Sequence, residues 1–133
     1  MRRLIFILLF GATVTSCFPV HTTEADEAFE YWAGFKAPDD FEVIEGEYYK
    51  SPHFTYEFEV FLKIKPTEEW WTKLIEQYKL TEDYQQWTAP DKKPNWFMPT
   101  EKMTMYSRHD IVDQSRFFYD KSTRQVYIYE VQF

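Results

Sequence analysis

The chain has 133 residues and a formal net charge of −7, and it is rich in aromatic residues, with 13 Phe, 10 Tyr and 5 Trp. This length is enough for one domain and not for two. The acidic balance excludes a surface that attracts phosphate backbones, so nucleic acid is not an expected partner. The single cysteine excludes an intramolecular disulfide, so we expect the aromatic residues to supply the core.

The first seventeen residues have the organisation of an export signal. Residues 1–3 are basic, residues 4–10 are an unbroken apolar run, and the segment ends in Val14-Thr15-Ser16-Cys17. The apolar run is too short to span a bilayer as a stable helix. This pattern predicts a signal peptide that is removed from the mature chain.

The tetrad that ends at Cys17 resembles the bacterial lipobox. The resemblance implies cleavage before Cys17, acylation of its sulfur and amine by fatty acids such as palmitate, and a bacterial lipoprotein of the cell envelope. The membrane would be the outer membrane if the host is a diderm. Two or more acyl chains give stable anchoring. The alternatives are a free cysteine after an ordinary signal peptide, or an uncleaved membrane stub.

This interpretation divides the chain into a signal peptide of residues 1–16, a lipidated cysteine with a short tether at residues 17–23, and a single domain of residues 24–133. Removal of residues 1–16 takes away two arginines and no acidic residue. The mature chain then has 13 basic residues against 22 acidic residues, a net charge of −9.

Two helices are predicted from apolar spacing. The first follows a cap at Thr22 or Thr23 and ends at Gly34. Its apolar face consists of Ala25, Ala28, Phe29, Trp32 and Ala33. The second follows Thr67, and its apolar face consists of Trp71, Leu74, Ile75 and Tyr78.

A strand with one buried face and one solvated face is predicted over residues 54–65, where apolar residues alternate with polar ones. Residues 41–50 are the expected partner strand, joined by a hairpin loop at residues 51–53. Gly46 is then expected opposite Phe58, where the missing side chain leaves room for a ring.

Further strands are predicted at residues 103–107, 115–119 and 125–133, and the last of these is expected inside the sheet. Residues 84–100 are predicted to be irregular, because three prolines interrupt them. The chain is therefore predicted to be an α+β domain, with an antiparallel sheet of four or five strands and one or two helices packed on one face.

The predicted hairpin register gives a candidate binding site on the solvated face. It places Glu45 opposite Glu59 and Glu47 opposite Glu57, and like charges that face each other are unfavourable. Arg116 or Arg124 on a neighbouring strand could offset them, or solvent could screen them. The functional alternative is a bound cation such as calcium, or a basic partner surface.

The tryptophans are a second candidate binding feature. Trp87 and Trp96 lie in a proline-stiffened segment at residues 87–99, and the partly exposed Trp70 could extend the same surface. Aromatic residues of this kind could form a platform for a sugar or a peptide. The alternative is that they fold back to cover the open edge of the sheet.

A catalytic interpretation depends on His109 with Asp110 or Asp113, which could act as acid and base in a small envelope hydrolase. The alternative is a polar loop whose charges pair with one another. Only two glycines remain after residue 16, so a glycine-rich phosphate cradle is excluded.

We therefore expect a non-catalytic binding or interaction domain rather than an enzyme, with no cofactor and no bound metal. It would be anchored in the membrane through Cys17. Its partner could be another envelope protein, a glycan or a toxin.

Overall fold

The computed structural model describes residues 18–52 and 57–133. The strands, all antiparallel, are β1 (Val20–Thr22), β2 (Glu42–Lys50), β3 (Phe58–Lys65), β4 (Leu80–Glu82), β5 (Thr104–Arg108), β6 (Arg116–Tyr119) and β7 (Val126–Gln132). The helices are α1 (Ala25–Ala33) and α2 (Glu68–Tyr78). The strands form one sheet in the order β1-β2-β3-β7-β6-β5-β4.

The α+β class is confirmed, but the expected number of four or five strands is wrong, because the sheet has seven. The two edge strands, β1 and β4, account for the difference. Each has three residues, which is too short to show a two-residue period. Strand β1 lies within the segment that was expected to be a tether at residues 17–23.

Helix α1 begins differently from the prediction and ends as predicted. Its N-cap is Glu24, whose side chain makes no capping hydrogen bond. Thr22 is instead paired with Tyr48 in the sheet, although its hydroxyl accepts a hydrogen bond from the Glu24 N–H. Gly34 ends the helix in the left-handed region at φ 84°, and its N–H donates to the Glu30 carbonyl.

Helix α2 is confirmed together with its cap. The Thr67 hydroxyl accepts a hydrogen bond from the Trp70 N–H at 3.2 Å. Lys79 follows the last turn with a left-handed backbone at φ 51°. Trp71 and Leu74 of the predicted apolar face are buried.

The hairpin of β2 and β3 exists, but the predicted register is wrong by four residues. Gly46 pairs with Leu62 rather than with Phe58. The loop is longer than three residues, since β2 ends at Lys50 and β3 begins at Phe58. Residues 54–56 of the predicted strand lie outside the described residues. Because this displacement is even, the side chains of residues 45–50 keep their predicted faces. The register shifts once more between Val43 and Glu45, and Val43 packs against the core cluster that contains Leu62.

The helices pack on one face of the sheet, which we call the helix face. Val60, Leu62 and Ile64 of β3 are fully buried there in one cluster with residues of α1 and α2. Gly46 permits the close approach of α1: a Cβ at this position would lie 2.8 Å from the Ala28 Cβ and 3.1 Å from the Ala25 carbonyl oxygen.

The opposite face, which we call the loop face, is also largely buried, contrary to the prediction of a solvated face. Phe61 of β3 is buried against Phe97, which is itself fully buried and belongs to the long connection between β4 and β5. The connection therefore covers a face of the sheet and not its open edge.

Strand β7 is central, between β3 and β6, so the prediction that the last strand is internal is confirmed. It is buried along nearly its whole length. Across residues 18–52 and 57–133, neither helix has the length and apolar character needed to cross a membrane.

Candidate functional site

The predicted pairs of facing carboxylates do not form, because they depended on the incorrect register. Glu45 lies opposite Lys63, and Glu47 lies opposite Phe61. Glu59 pairs with Tyr49, and Glu57 precedes β3. Glu45 therefore faces a positive charge from the neighbouring strand, which removes the expected repulsion at that position.

Three of the four acidic candidates nevertheless converge on one cavity of about 520 Å³ on the loop face, near the end of the sheet. We call this cavity the acidic groove. The residues that define it are His21, Glu47, Tyr49, Glu57, Glu59 and Phe133. Glu45 is not part of its lining.

Two of these glutamates accept hydrogen bonds at the groove wall. Glu47 contacts the His21 Nε2 at 3.1 Å, and Glu59 accepts a hydrogen bond from the Tyr129 hydroxyl at 3.0 Å. Burial, followed by the charge of Glu59, raises the pKa of Tyr129. The phenol therefore stays protonated and continues to donate to the carboxylate.

The expected counter-charges lie elsewhere. Arg116 forms an ion pair with Asp83 at 3.3 Å, and Arg124 occupies the turn between β6 and β7 with a φ of 61°. The lysine that does line the groove is Lys92, from the connection between β4 and β5. Prediction from sequence missed Lys92, His21 and Phe133, because each reaches the groove through long-range packing.

The three candidate tryptophans do not share one surface. Trp87 and Trp96 pack on the loop face, and the Trp87 indole N–H donates to the Gln114 carbonyl at 3.1 Å. Trp70 packs on the helix face, with its ring centroid 4.8 Å from that of Phe41. Trp87 also lines a second cavity of about 790 Å³.

The three residues of the catalytic interpretation, His109, Asp110 and Asp113, do not contact one another through hydrogen bonds in the part of the chain that the structure describes. Asp110 pairs with Lys79 at 3.6 Å, and the Asp113 carboxylate accepts a hydrogen bond from the Ser115 N–H at 2.9 Å. The His109 side chain is exposed and has no hydrogen bond with either aspartate within the described segments. A third cavity, of about 570 Å³, is lined by Asp113 but not by His109.

A buried charged cluster on the helix face was not anticipated from sequence. The Glu130 carboxylate in β7 accepts hydrogen bonds from the Trp32 indole and the Arg108 guanidinium. The guanidinium lies 4.4 Å from the Tyr78 ring centroid. Burial raises the pKa of Glu130, although Trp32 and Arg108 oppose the shift. Burial and Glu130 together raise the pKa of Tyr78 to about 12.

Within residues 18–52 and 57–133, no group of three or more His, Cys, Asp or Glu side chains is arranged to hold a metal ion. The groove carboxylates instead share the cavity with the aromatic side chains of Tyr49, Phe61 and Phe133. This arrangement suits contact with an extended ligand better than coordination of a single ion.

Comparison with known proteins gave no family: the chain has no significant match to any protein-family model, curated protein or solved structure. Its function is therefore inferred from its residues and from the geometry of the acidic groove.

Proposed function

We propose that the chain is a lipid-anchored lipoprotein of the cell envelope and acts as a non-catalytic binding domain through the acidic groove. The observation that carries the binding role is the convergence of Glu47, Glu57 and Glu59 on one cavity. The lipobox resemblance at Cys17 supports the anchor and the cellular location.

The chemistry of the groove favours a basic segment of another protein as the partner. Phe61 and Val131 contribute apolar surface, and Tyr49 and Phe133 are exposed beside the carboxylates. Lysine and arginine side chains match this combination, because an apolar stem carries a cationic head. Arginine additionally stacks on aromatic rings. A basic envelope protein or toxin fits these requirements better than a neutral glycan.

The rival function, a hydrolase that uses His109 with Asp110 or Asp113, has less support. A general base needs to be within hydrogen-bond reach of the proton that it abstracts, and its ring is held in place by a hydrogen bond to an orienting group. The two aspartates are engaged with Lys79 and with the Ser115 N–H.

The binding role is tested by crosslinking the acylated protein in native envelopes and quantifying the captured partner. We expect the double variant Glu47→Gln/Glu59→Gln to lower capture at least about tenfold, since charge complementarity controls such association. The amide side chains can still accept hydrogen bonds from His21 and Tyr129, so the groove wall is preserved.

The matched control is Glu27→Gln/Glu76→Gln, which removes the same charge from exposed helix positions. It should capture the partner as the unmodified protein does. Equal capture by the groove variant and the control would contradict a binding role for the groove.

The anchor is tested separately by labelling with a palmitate analogue. The unmodified chain should incorporate the label and Cys17→Ala should not. Undiminished labelling of Cys17→Ala would remove the proposed anchor.

A further inference from the structure

We infer that the end of the sheet that carries Phe18 and Phe133 rests against the lipid headgroups, so that the acidic groove opens at the membrane surface. This inference rests on the proposed acylation of Cys17. It adds an orientation of the domain and restricts the partner of the groove to segments close to the membrane.

The strand register places these residues at one end of the sheet. Val20 pairs with Lys50, Lys50 with Phe58, and Phe58 with Gln132, so the four residues form one row across β1, β2, β3 and β7. The chain enters β1 from beyond this row, and Phe133 leaves β7 beyond the same row. Phe18 and Phe133 therefore share one end.

The tether is too short to hold this end away from the membrane. Two residues, Phe18 and Pro19, separate Cys17 from Val20, the first paired residue. The three residue steps from Cys17 to Val20 span about 10 Å when the chain is extended. Val20 is thus held within about 10 Å of the acylated residue, a distance only slightly larger than the depth of one headgroup region, about 5–8 Å. The end that bears the row is consequently the closest part of the sheet to the lipid.

The side chains at this end suit the lipid interface. Phe18 is 74% exposed and Phe133 is 92% exposed, and large apolar side chains partition into the boundary between headgroups and acyl chains. The opposite end carries the turn between β6 and β7, where Lys121, Ser122 and Thr123 are exposed and polar. The eight residues of β3 place that turn about 25 Å from the lipid-facing end.

The charge of the domain makes this contact dependent on acylation. The mature chain carries a net charge of −9, and the groove glutamates lie near the lipid-facing end, so anionic lipid repels the domain. We therefore expect no stable binding of a Cys17→Ser variant to vesicles of phosphatidylcholine and phosphatidylglycerol.

The orientation is tested with the acylated full chain in phosphatidylcholine vesicles that contain a nitroxide headgroup lipid. Cys17 is the only cysteine, so after acylation a fluorophore can be attached specifically to Gln132→Cys or to Ser122→Cys. Both positions are exposed. We expect the nitroxide to quench the label at position 132 several-fold more strongly than the label at position 122.

Phe133→Ser is the second variant, whereas Phe18 stays unchanged because it adjoins the processed cysteine. This substitution should lower quenching at position 132 and leave quenching at position 122 unaltered. Equal quenching at both positions in an acylated, folded protein would overturn the orientation but not the anchor. A protein whose mass shows no acyl group on Cys17 would overturn both.

Discussion

At the scale of single residues, Glu130 makes stability depend on pH. Because burial raises its pKa in the folded state, the folded protein binds this proton at a higher pH than the unfolded chain does. The stability that protonation contributes is fully present below the ordinary carboxyl value of 4.5. It is lost as pH rises through the folded pKa.

We expect the free energy of unfolding of the unmodified protein, relative to Glu130→Gln, to increase as pH falls from about 7 towards about 4.5. Urea unfolding across this range measures the difference. Glu42→Gln, an exposed position on β2, is the control and should show no such trend. A difference between the unmodified protein and Glu130→Gln that does not vary with pH would contradict the prediction.

Glu130 also shows what residue patterns cannot reveal. Residues 125–133 predict a strand correctly, because Val, Ile, Tyr and Phe favour a pleated, buried surface. The pattern does not predict that the Glu130 carboxylate is buried. Its hydrogen-bond donors, Trp32 of α1 and Arg108 of β5, are distant in sequence and come together only in the folded chain. Such convergence is a property of the long-range packing.

At the scale of elements, Gly46 determines how closely α1 packs on the sheet. The added Cβ in Gly46→Ala would lie 2.8 Å from the Ala28 Cβ, and 3.1 Å from both the Ala25 oxygen and the Leu62 Cδ2. The helix must therefore move, and we expect a loss of about 1–3 kcal/mol in the free energy of unfolding.

A double-mutant cycle with Ala28→Gly, measured by urea unfolding, identifies the cause. Removal of the Ala28 methyl relieves the shortest contact, so the double variant should be less destabilised than the sum of the two single variants. If the losses in the free energy of unfolding simply add, Gly46 is not required for the close approach of α1.

The connection between β4 and β5 is the second element whose role can be measured. Phe97 is fully buried against Phe61, with the ring centroids 5.2 Å apart. Phe97→Ala should lower the free energy of unfolding by about 3–5 kcal/mol, because it leaves a cavity beneath the connection.

Met98→Ala is the matched control, since Met98 is adjacent and 61% exposed. It should change stability by no more than about 0.5 kcal/mol. Similar small effects at both positions in thermal or urea unfolding would show that the connection does not contribute to the core.

The long periodic elements could be predicted from sequence, whereas their pairing could not. Side-chain parity on β3 follows from local alternation, but the four-residue displacement of its register depends on a loop whose length the sequence does not determine. Phe61 was expected in solvent because it lies on the same face of β3 as Glu59 and Lys63. Its burial requires Phe97, which is distant in sequence.

At the scale of the whole molecule, the acidic groove was predictable only in part. An even register displacement keeps Glu47 and Glu59 on one face, so an incorrect pairing still brought them together. His21 reaches the groove through β1, and Phe133 reaches it through the pairing of β7 with β3. The order of the strands depends on how the complete sheet packs. The spacing of residues within a single strand does not determine that order.

The two faces of the sheet should unfold together, because β3 and β7 contribute side chains to both. Leu62 and Ile128 point to the helix face, while Phe61 and Tyr129 point to the loop face. Loss of packing on either face exposes the same two central strands. We therefore expect one cooperative unfolding transition. The free energy of unfolding should fall by about 1–3 kcal/mol for each molar increase in urea concentration.

The tryptophans permit a direct test, since they are divided between the faces. Trp87→Phe/Trp96→Phe leaves fluorescence from the helix face, and Trp32→Phe/Trp70→Phe/Trp71→Phe leaves fluorescence from the loop face. Within each variant, the fluorescence midpoint should coincide with the midpoint from far-ultraviolet circular dichroism, whatever the change in stability. An earlier fluorescence transition in the second variant alone would instead show that the connection between β4 and β5 detaches before the sheet unfolds.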